Sequence, residues 1–236
     1  MMSHAGFLEH ALLGRVTVNV RRDSRRISAR WRKGAVSLNV PSGARVTEVR
    51  RALDEMVPRL MAMKPAVRYH IGQRLEFPDF AVELRRGVVR DRIVGTPRLP
   101  VSYIEVGEDI DINDEHGTRA VSDVLMGLAR YWAPSLLIPH AREIALKIGK
   151  TPAGWTISTG RRTLGMCNSK GIISLSFVIM LLPAELRDYV ICHELAHLSE
   201  MNHSPEFHRI LNGYLGGREA ELVAALKAYE WPVLRY

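Results

Sequence analysis

The sequence predicts an α+β protein in which a basic, β-rich N-terminal part, residues 1–113, precedes a helix-rich half, residues 114–236. Two observations carry this reading. Apolar residues alternate with period two over much of the first 106 positions and recur at helical spacing over most of the last 120. Charge divides at the same place: residues 1–100 carry a net +11 of the chain's +8, and an acidic stretch at residues 105–115 (EVGEDIDINDE) separates them from a nearly neutral remainder. With 236 residues, 47% hydrophobic and 25% charged, the chain can bury a core without staples, which excludes collagenous, disordered and mini-protein classes.

The elements follow in order. Val16, Val18 and Val20 alternate with polar residues, as do Ile27, Ala29 and Trp31, and Val36, Leu38 and Val40 form a third run after a turn at Lys33-Gly34. Three short alternating runs predict an antiparallel meander. Thr47 to Met63 has helical spacing, with Pro58 as a kink. Residues 75–106 return to short strands punctuated by Pro78, Gly87, Gly95, Pro97 and Pro100.

Beyond the acidic stretch a helix is predicted from Thr118 to Trp132, broken by Pro134 and Pro139, with a second helix running to Gly149. Trp155–Ser158 and Ile172–Leu175 read as strands on either side of a turn-rich loop. A helix is predicted from Pro183 to about Glu200, and two more over Pro205–Leu215 and Arg218–Ala228.

Within the helix from Pro183 stands His193-Glu194-Leu195-Ala196-His197. Residues four apart lie one turn along the same face, so both imidazoles can reach one metal ion, while Glu194 is offset towards a water molecule. Two His ligands and a general-base carboxylate are the donor set of a zinc hydrolase. The rest of the helix is apolar (Tyr189, Val190, Ile191, Leu195, Leu198), so the polar residues need a reason to be buried there. A third ligand lies beyond: His203, which needs the chain to turn back after about Glu200, or its rival His208. The spacing from His193 to His203 is that of metzincins, but Glu200 replaces their glycine and no methionine follows Met201, which excludes that clan.

The segment Ile191 to His208, ICHELAHLSEMNHSPEFH, resembles the YgjP-like metallopeptidase family, itself similar to the SprT and WLM groups of minigluzincin-type zinc proteases. The likeness rests on His193 to Leu198, Asn202-His203-Ser204 and Phe207, on Asp188-Tyr189-Val190 upstream, and on Ser169-Lys170-Gly171 leading into the strand that ends at Leu175. It implies a zincin-like C-terminal half with a small sheet, a zinc ion (Zn2+) held by His193, His197 and His203, and Glu194 as catalytic base in peptide hydrolysis. The chain departs from the family where Leu164-Gly165-Met166-Cys167 replaces Trp-Gly-Ser-Cys, where Ser176-Phe177 follows Leu175, and at His208, where an aromatic is usual.

A protein or peptide substrate is therefore expected, with the strand Ile172–Leu175 offering its edge to an extended peptide. The alternative is a nucleic-acid-associated protein with a structural zinc, the Arg-rich N-terminal strands contacting the polyanion. Cys167 and Cys192 read as buried small hydrophobes, and His4, His10, His70, His116 and His140 lack ligand spacing. The N-terminus has no signal-peptide pattern and the longest apolar run, Phe177–Pro183, is too short to span a bilayer, which predicts a cytoplasmic protein.

Overall fold

The computed structural model describes residues 6–32, 35–62, 67–112 and 114–234. His4, the turn at Lys33-Gly34 and the end of the first predicted helix at Met63 lie outside them. The chain folds as two compact units divided between Ala66 and Val67, with a separate hydrophobic core in each.

The first unit contains β1 (Gly6–His10), β2 (Gly14–Arg21), β3 (Ser28–Arg32), β4 (Ala35–Pro41) and α1 (Val46–Ala62). The alternation expected of β2 and β4 puts Val16, Val18, Val36, Leu38 and Val40 on one face, buried with Val49, Leu53, Val57 and Leu60 of α1. The sheet order is β1-β2-β4-β3, with β2 parallel to β4, so the antiparallel meander is corrected. Val36, Leu38 and Val40 are all fully buried, which gives β4 a central position. β3 carries only Ala29 and Trp31 as apolar residues, and it takes the edge, where Arg30 stays exposed. The opposite face of β2 carries exposed Arg15 and Arg21, so much of the N-terminal positive charge is solvated. α1 continues past Pro58.

The second unit opens with β5 (Arg74–Glu76), β6 (Ala81–Arg86), β7 (Ile93–Thr96) and β8 (Val101–Val106) in the order β5-β6-β8-β7. Their buried Val82, Leu84, Ile104 and Val106 share one core with Val121, Leu125 and Ala129 of α2 (Glu115–Lys147). This sheet thus packs with the C-terminal half, and the division falls near residue 66 instead of the expected 113/114. The acidic stretch between them is a tight connection. Gly107 N–H donates to Arg92 O (3.0 Å), and Thr118 Oγ1 donates to Ile112 O (3.0 Å). Asp114 caps α2 by accepting from Gly117 N–H (2.6 Å).

α2 is one helix of 33 residues, not two, and both Pro134 and Pro139 lie inside it. Each proline costs roughly 3 kcal/mol in a helix interior. The fully buried Ala129, Ala133, Leu137 and Ala141 carry the apolar stripe past both, and burial of that stripe outweighs the local penalty. After α2 come β9 (Gly154–Ser158), β10 (Gly165–Cys167) and β11 (Ile172–Ser176), then a 3-10 turn (Phe177–Leu181) with no exposed residue. The sheet order is β10-β11-β9. β11 is therefore the middle strand, parallel to β9 and antiparallel to β10. Its edge is not available to a substrate, because Ile173 and Leu175 are fully buried and both flanks are paired. The chain ends in α3 (Ala184–Ala196), α4 (Pro205–Tyr214) and α5 (Glu219–Ala228). Among the described residues no helix is long and apolar enough to cross a membrane.

Candidate metal centre

α3 begins directly after Pro183 and ends four residues sooner than its pattern suggests, with His197 as the C-cap. Leu186, Tyr189, Val190, Ile191, Cys192, Leu195 and Ala196 are all buried, so the helix is apolar on nearly every side and fixes the two histidines firmly. The turn back is built from local bonds: Ser199 N–H and Glu200 N–H both donate to Ala196 O (2.9 and 3.1 Å), and Asn202 N–H donates to Glu200 Oε1 (3.1 Å). Ser204 then caps α4, accepting from Phe207 N–H at 3.3 Å, and Pro205 supplies the first helical turn.

This turn brings His203 back to the helix. One nitrogen each from His193, His197 and His203 lies within 4.8 Å of the other two, and Nε2 of His193 and Nε2 of His203 are 3.1 Å apart. Tetrahedral ligands about 2.0–2.1 Å from a zinc ion would stand about 3.3–3.4 Å apart, so the spacing fits a shared cation. Phe207 forms the floor, its ring centre 5.0, 4.5 and 4.8 Å from those of the three imidazoles. His197 Nδ1 is 3.1 Å from the carbonyl of Glu200, which sets the Nδ1–H tautomer and leaves Nε2 with its lone pair. The Nδ1 of His193 is buried with no hydrogen-bond partner among the described residues. Burial first, then the neighbouring His197, His203 and His208, pull the pKa of His193 down to about 4; that of His197 is also lowered, chiefly by burial. Both rings thus favour the neutral form that a metal requires. His208 stays outside this cluster, with its Nδ1 2.6 Å from Oε1 of Glu219.

Glu194, the next residue after His193, lies against β10 and is only 5% exposed. Burial raises its carboxyl to about 7, and a hydrogen bond from the backbone N–H of Cys167 opposes the shift. β10 is built around this group. A Cβ at Gly165 would fall 2.5 Å from Oε1 of Glu194 and 2.6 Å from its Cγ, so only glycine leaves the carboxylate its place. Residue patterns do not reveal these two backbone positions, since β10 is only three residues long. On the outer side of β10 lies a cavity of about 350 Å³ lined by Ser158, Arg161, Arg162, Thr163, Met166 and Ser174, among others. Both cysteines are buried, and burial pushes the Cys192 thiol up to about 11, as expected for inert packing groups. His10 and His140 pair instead with Asp54 and Asp188.

Comparison with known proteins identifies a family. The family model described as "YgjP-like, metallopeptidase domain" matches residues 25–228. No curated protein matches the chain by sequence. Among solved structures, the metallopeptidase zymogen jannalysin of Methanocaldococcus jannaschii is 20% identical over 37% of this chain and 89% of its own, with a TM-score of 0.32. The zymogen abylysin of Pyrococcus abyssi is 26% identical over 39% of this chain and 91% of its own, also with a TM-score of 0.32. Neither superposition is close enough to bear on the site, and no comparison points to nucleic acid.

Proposed function

The chain belongs to the YgjP-like metallopeptidase family, and from that premise we propose that it is a zinc-dependent peptidase with His193, His197 and His203 as metal ligands and Glu194 as general base. The observation that carries this reading is the convergence of three imidazole nitrogens within 4.8 Å of one another, with a buried carboxylate, Glu194, on the same helix as two of them. Imidazole donors suit zinc. When bound, zinc supplies a water acidified towards neutrality and polarisation of the scissile carbonyl.

The chain's own residues do the rest. Glu194, with its carboxyl held near neutrality by burial, takes the proton of the attacking water and returns it to the leaving amine. The Cys167 N–H orients that carboxylate, and Gly165 leaves it room. Phe207 closes the floor of the site and keeps the rings from turning. An extended peptide lies along the free edge of β10, the strand that holds the base.

Metal content per chain tests the reading, taken for wild type and for His203→Ala and His208→Ala separately. About one zinc is expected in wild type and in His208→Ala, with loss in His203→Ala. Glu194→Gln should then keep the metal and the fold while casein hydrolysis falls by roughly 10²–10⁴. A zinc-supplemented wild type that holds no metal, or one that holds it and cleaves nothing, overturns the proposal. The second outcome would favour a structural zinc.

A further inference from the structure

Tyr189, His208 and Glu219 stand beside the imidazoles but hold neither the metal nor the base. Glu219 is the buried first residue of α5. Asn212 grips it twice: Nδ2–H donates to Oε2 (2.9 Å), and Oδ1 accepts from the Glu219 N–H (3.2 Å). The other carboxylate oxygen, Oε1, lies 2.6 Å from Nδ1 of His208. His208 and Asn212 are one turn apart on α4, so a single face of that helix holds the carboxylate. An ionised carboxylate only accepts, so Nδ1 of His208 carries a hydrogen and the ring is fixed in one orientation. Its side chain is nonetheless 50% exposed. With Nδ1 turned towards a buried partner, the open side of the ring is the one that bears Nε2.

Two observations put this pair at the metal centre. The ring centre of His208 is 5.4 Å from that of Phe207, the floor of the site, and a charge on His208 joins burial, His197 and His203 in lowering the pKa of His193. Tyr189 fixes the flank. Its ring centre is 6.0 Å from that of His193, and its pKa is raised by burial, then by Glu219, then by Glu194. Glu219 and the base thus both reach Tyr189, and the pair stands on the same flank of His193 as Glu194. Peptide hydrolysis builds negative charge on the scissile carbonyl oxygen, where a preorganised donor is most effective. We propose that His208 is a further catalytic residue, donating from Nε2–H to that oxygen, and that Glu219 is its positioning residue. The inference rests on the peptidase reading and deepens it. No bond forms or breaks at His208, which keeps its proton throughout; Glu194 alone moves one.

The test takes kcat, KM, zinc content and thermal midpoint on a casein-derived peptide for wild type, His208→Ala, His208→Gln and Glu219→Gln. Loss of one such donor costs about 10²–10³ in rate. His208→Ala should therefore lose about a hundredfold in kcat while KM, zinc and midpoint hold. His208→Gln, which keeps an N–H near the place of Nε2, should recover about tenfold of that loss, and Glu219→Gln should lose about tenfold with the ring still present. Should the buried Glu219→Gln change lower the midpoint, the two His208 variants carry the test, since that ring is half exposed. A second readout needs no turnover: calorimetry with a phosphinic peptide, whose anionic oxygen stands where the charged carbonyl oxygen would be. Its Kd for the zinc-loaded protein should rise about a hundredfold in His208→Ala. Equal kcat in wild type and His208→Ala, a loss confined to KM, or loss of zinc with the substitution overturns the inference, and the first of these leaves the peptidase standing. Wild type that cleaves nothing sinks the peptidase reading. Phosphinic-peptide binding that still depends on His208 would then uphold the donor, and binding indifferent to it would sink both.

Discussion

Replacing Gly165 by alanine is a small perturbation with a calculable target. The added Cβ would meet Oε1, Cγ and Cδ of Glu194 at 2.5, 2.6 and 2.7 Å. Ordinary contact lies near 3.5 Å, so the carboxylate must retreat by about 1 Å. It sits at the end of a side chain with rotatable bonds, and moving it off its preferred rotamer costs only about 1 kcal/mol. That corresponds to a fall of about 2–4 °C in thermal midpoint for a chain of this size. The functional cost is far larger, since a misplacement of about 1 Å can lower a rate by about 10². Gly165→Ala should therefore lose about a hundredfold in kcat on a casein-derived peptide while zinc content and KM hold. Wild-type kcat, or loss of zinc together with activity, would refute the argument that β10 positions the base.

Three further outcomes are expected. In metal-free protein, Glu194 has a folded pKa raised to about 7 from about 4.5, so its neutral form is favoured by folding. The stability it allows is fully present below pH 4.5 and is lost as pH rises through 7, by roughly 3 kcal/mol. Glu194→Gln should thus match the wild type in urea midpoint near pH 4 and exceed it near pH 8; a gap independent of pH would contradict the assignment. Ser204→Ala removes the cap of α4 and should cost about 1 kcal/mol by denaturant titration, with zinc affinity weakened because the cap follows His203 directly. Asp79→Ala strands the guanidinium of Arg187, whose side chain is 3% exposed and ion-paired with Asp79. A loss of about 3 kcal/mol is expected, and one below about 1 kcal/mol would show that Asp188, whose Oδ1 is 3.9 Å from Nε of Arg187, suffices.

Local chemistry was legible in the sequence because it is local. The placement of His193 and His197 follows from helical pitch alone, and Ser204-Pro205 announces the start of α4, which makes the return of His203 readable. The strands of the first unit show in their alternation. Their pairing does not, because alternation says which face is buried and nothing about which neighbour a strand takes; β4 between β2 and β3 is a choice made by the whole core. α2 was hidden by a rule that holds for isolated helices, where Pro134 and Pro139 would terminate it. Its buried stripe of Ala133, Leu137 and Ala141 decides otherwise. β10 is three residues long, too short for any periodicity, and its importance lies in a missing side chain and a backbone N–H, neither of which has a pattern.

The shortness of β10 has a consequence for how tightly anything can be held there. Asn168 N–H donates to Ile172 O and Ser176 N–H donates to Leu164 O, so by antiparallel alternation Met166 turns its backbone inward and Gly165 and Cys167 turn theirs outward. The Cys167 N–H is already spent on Glu194. Three outward groups remain: the N–H and carbonyl of Gly165 and the carbonyl of Cys167. At a net of about 1 kcal/mol each, a ladder of that length gives about 3 kcal/mol, weaker than a millimolar complex. A peptide laid along this edge would be exchanged rapidly, and its residence would depend on its side chains. Folded proteins, which cannot release an extended stretch at so little gain, would be left intact.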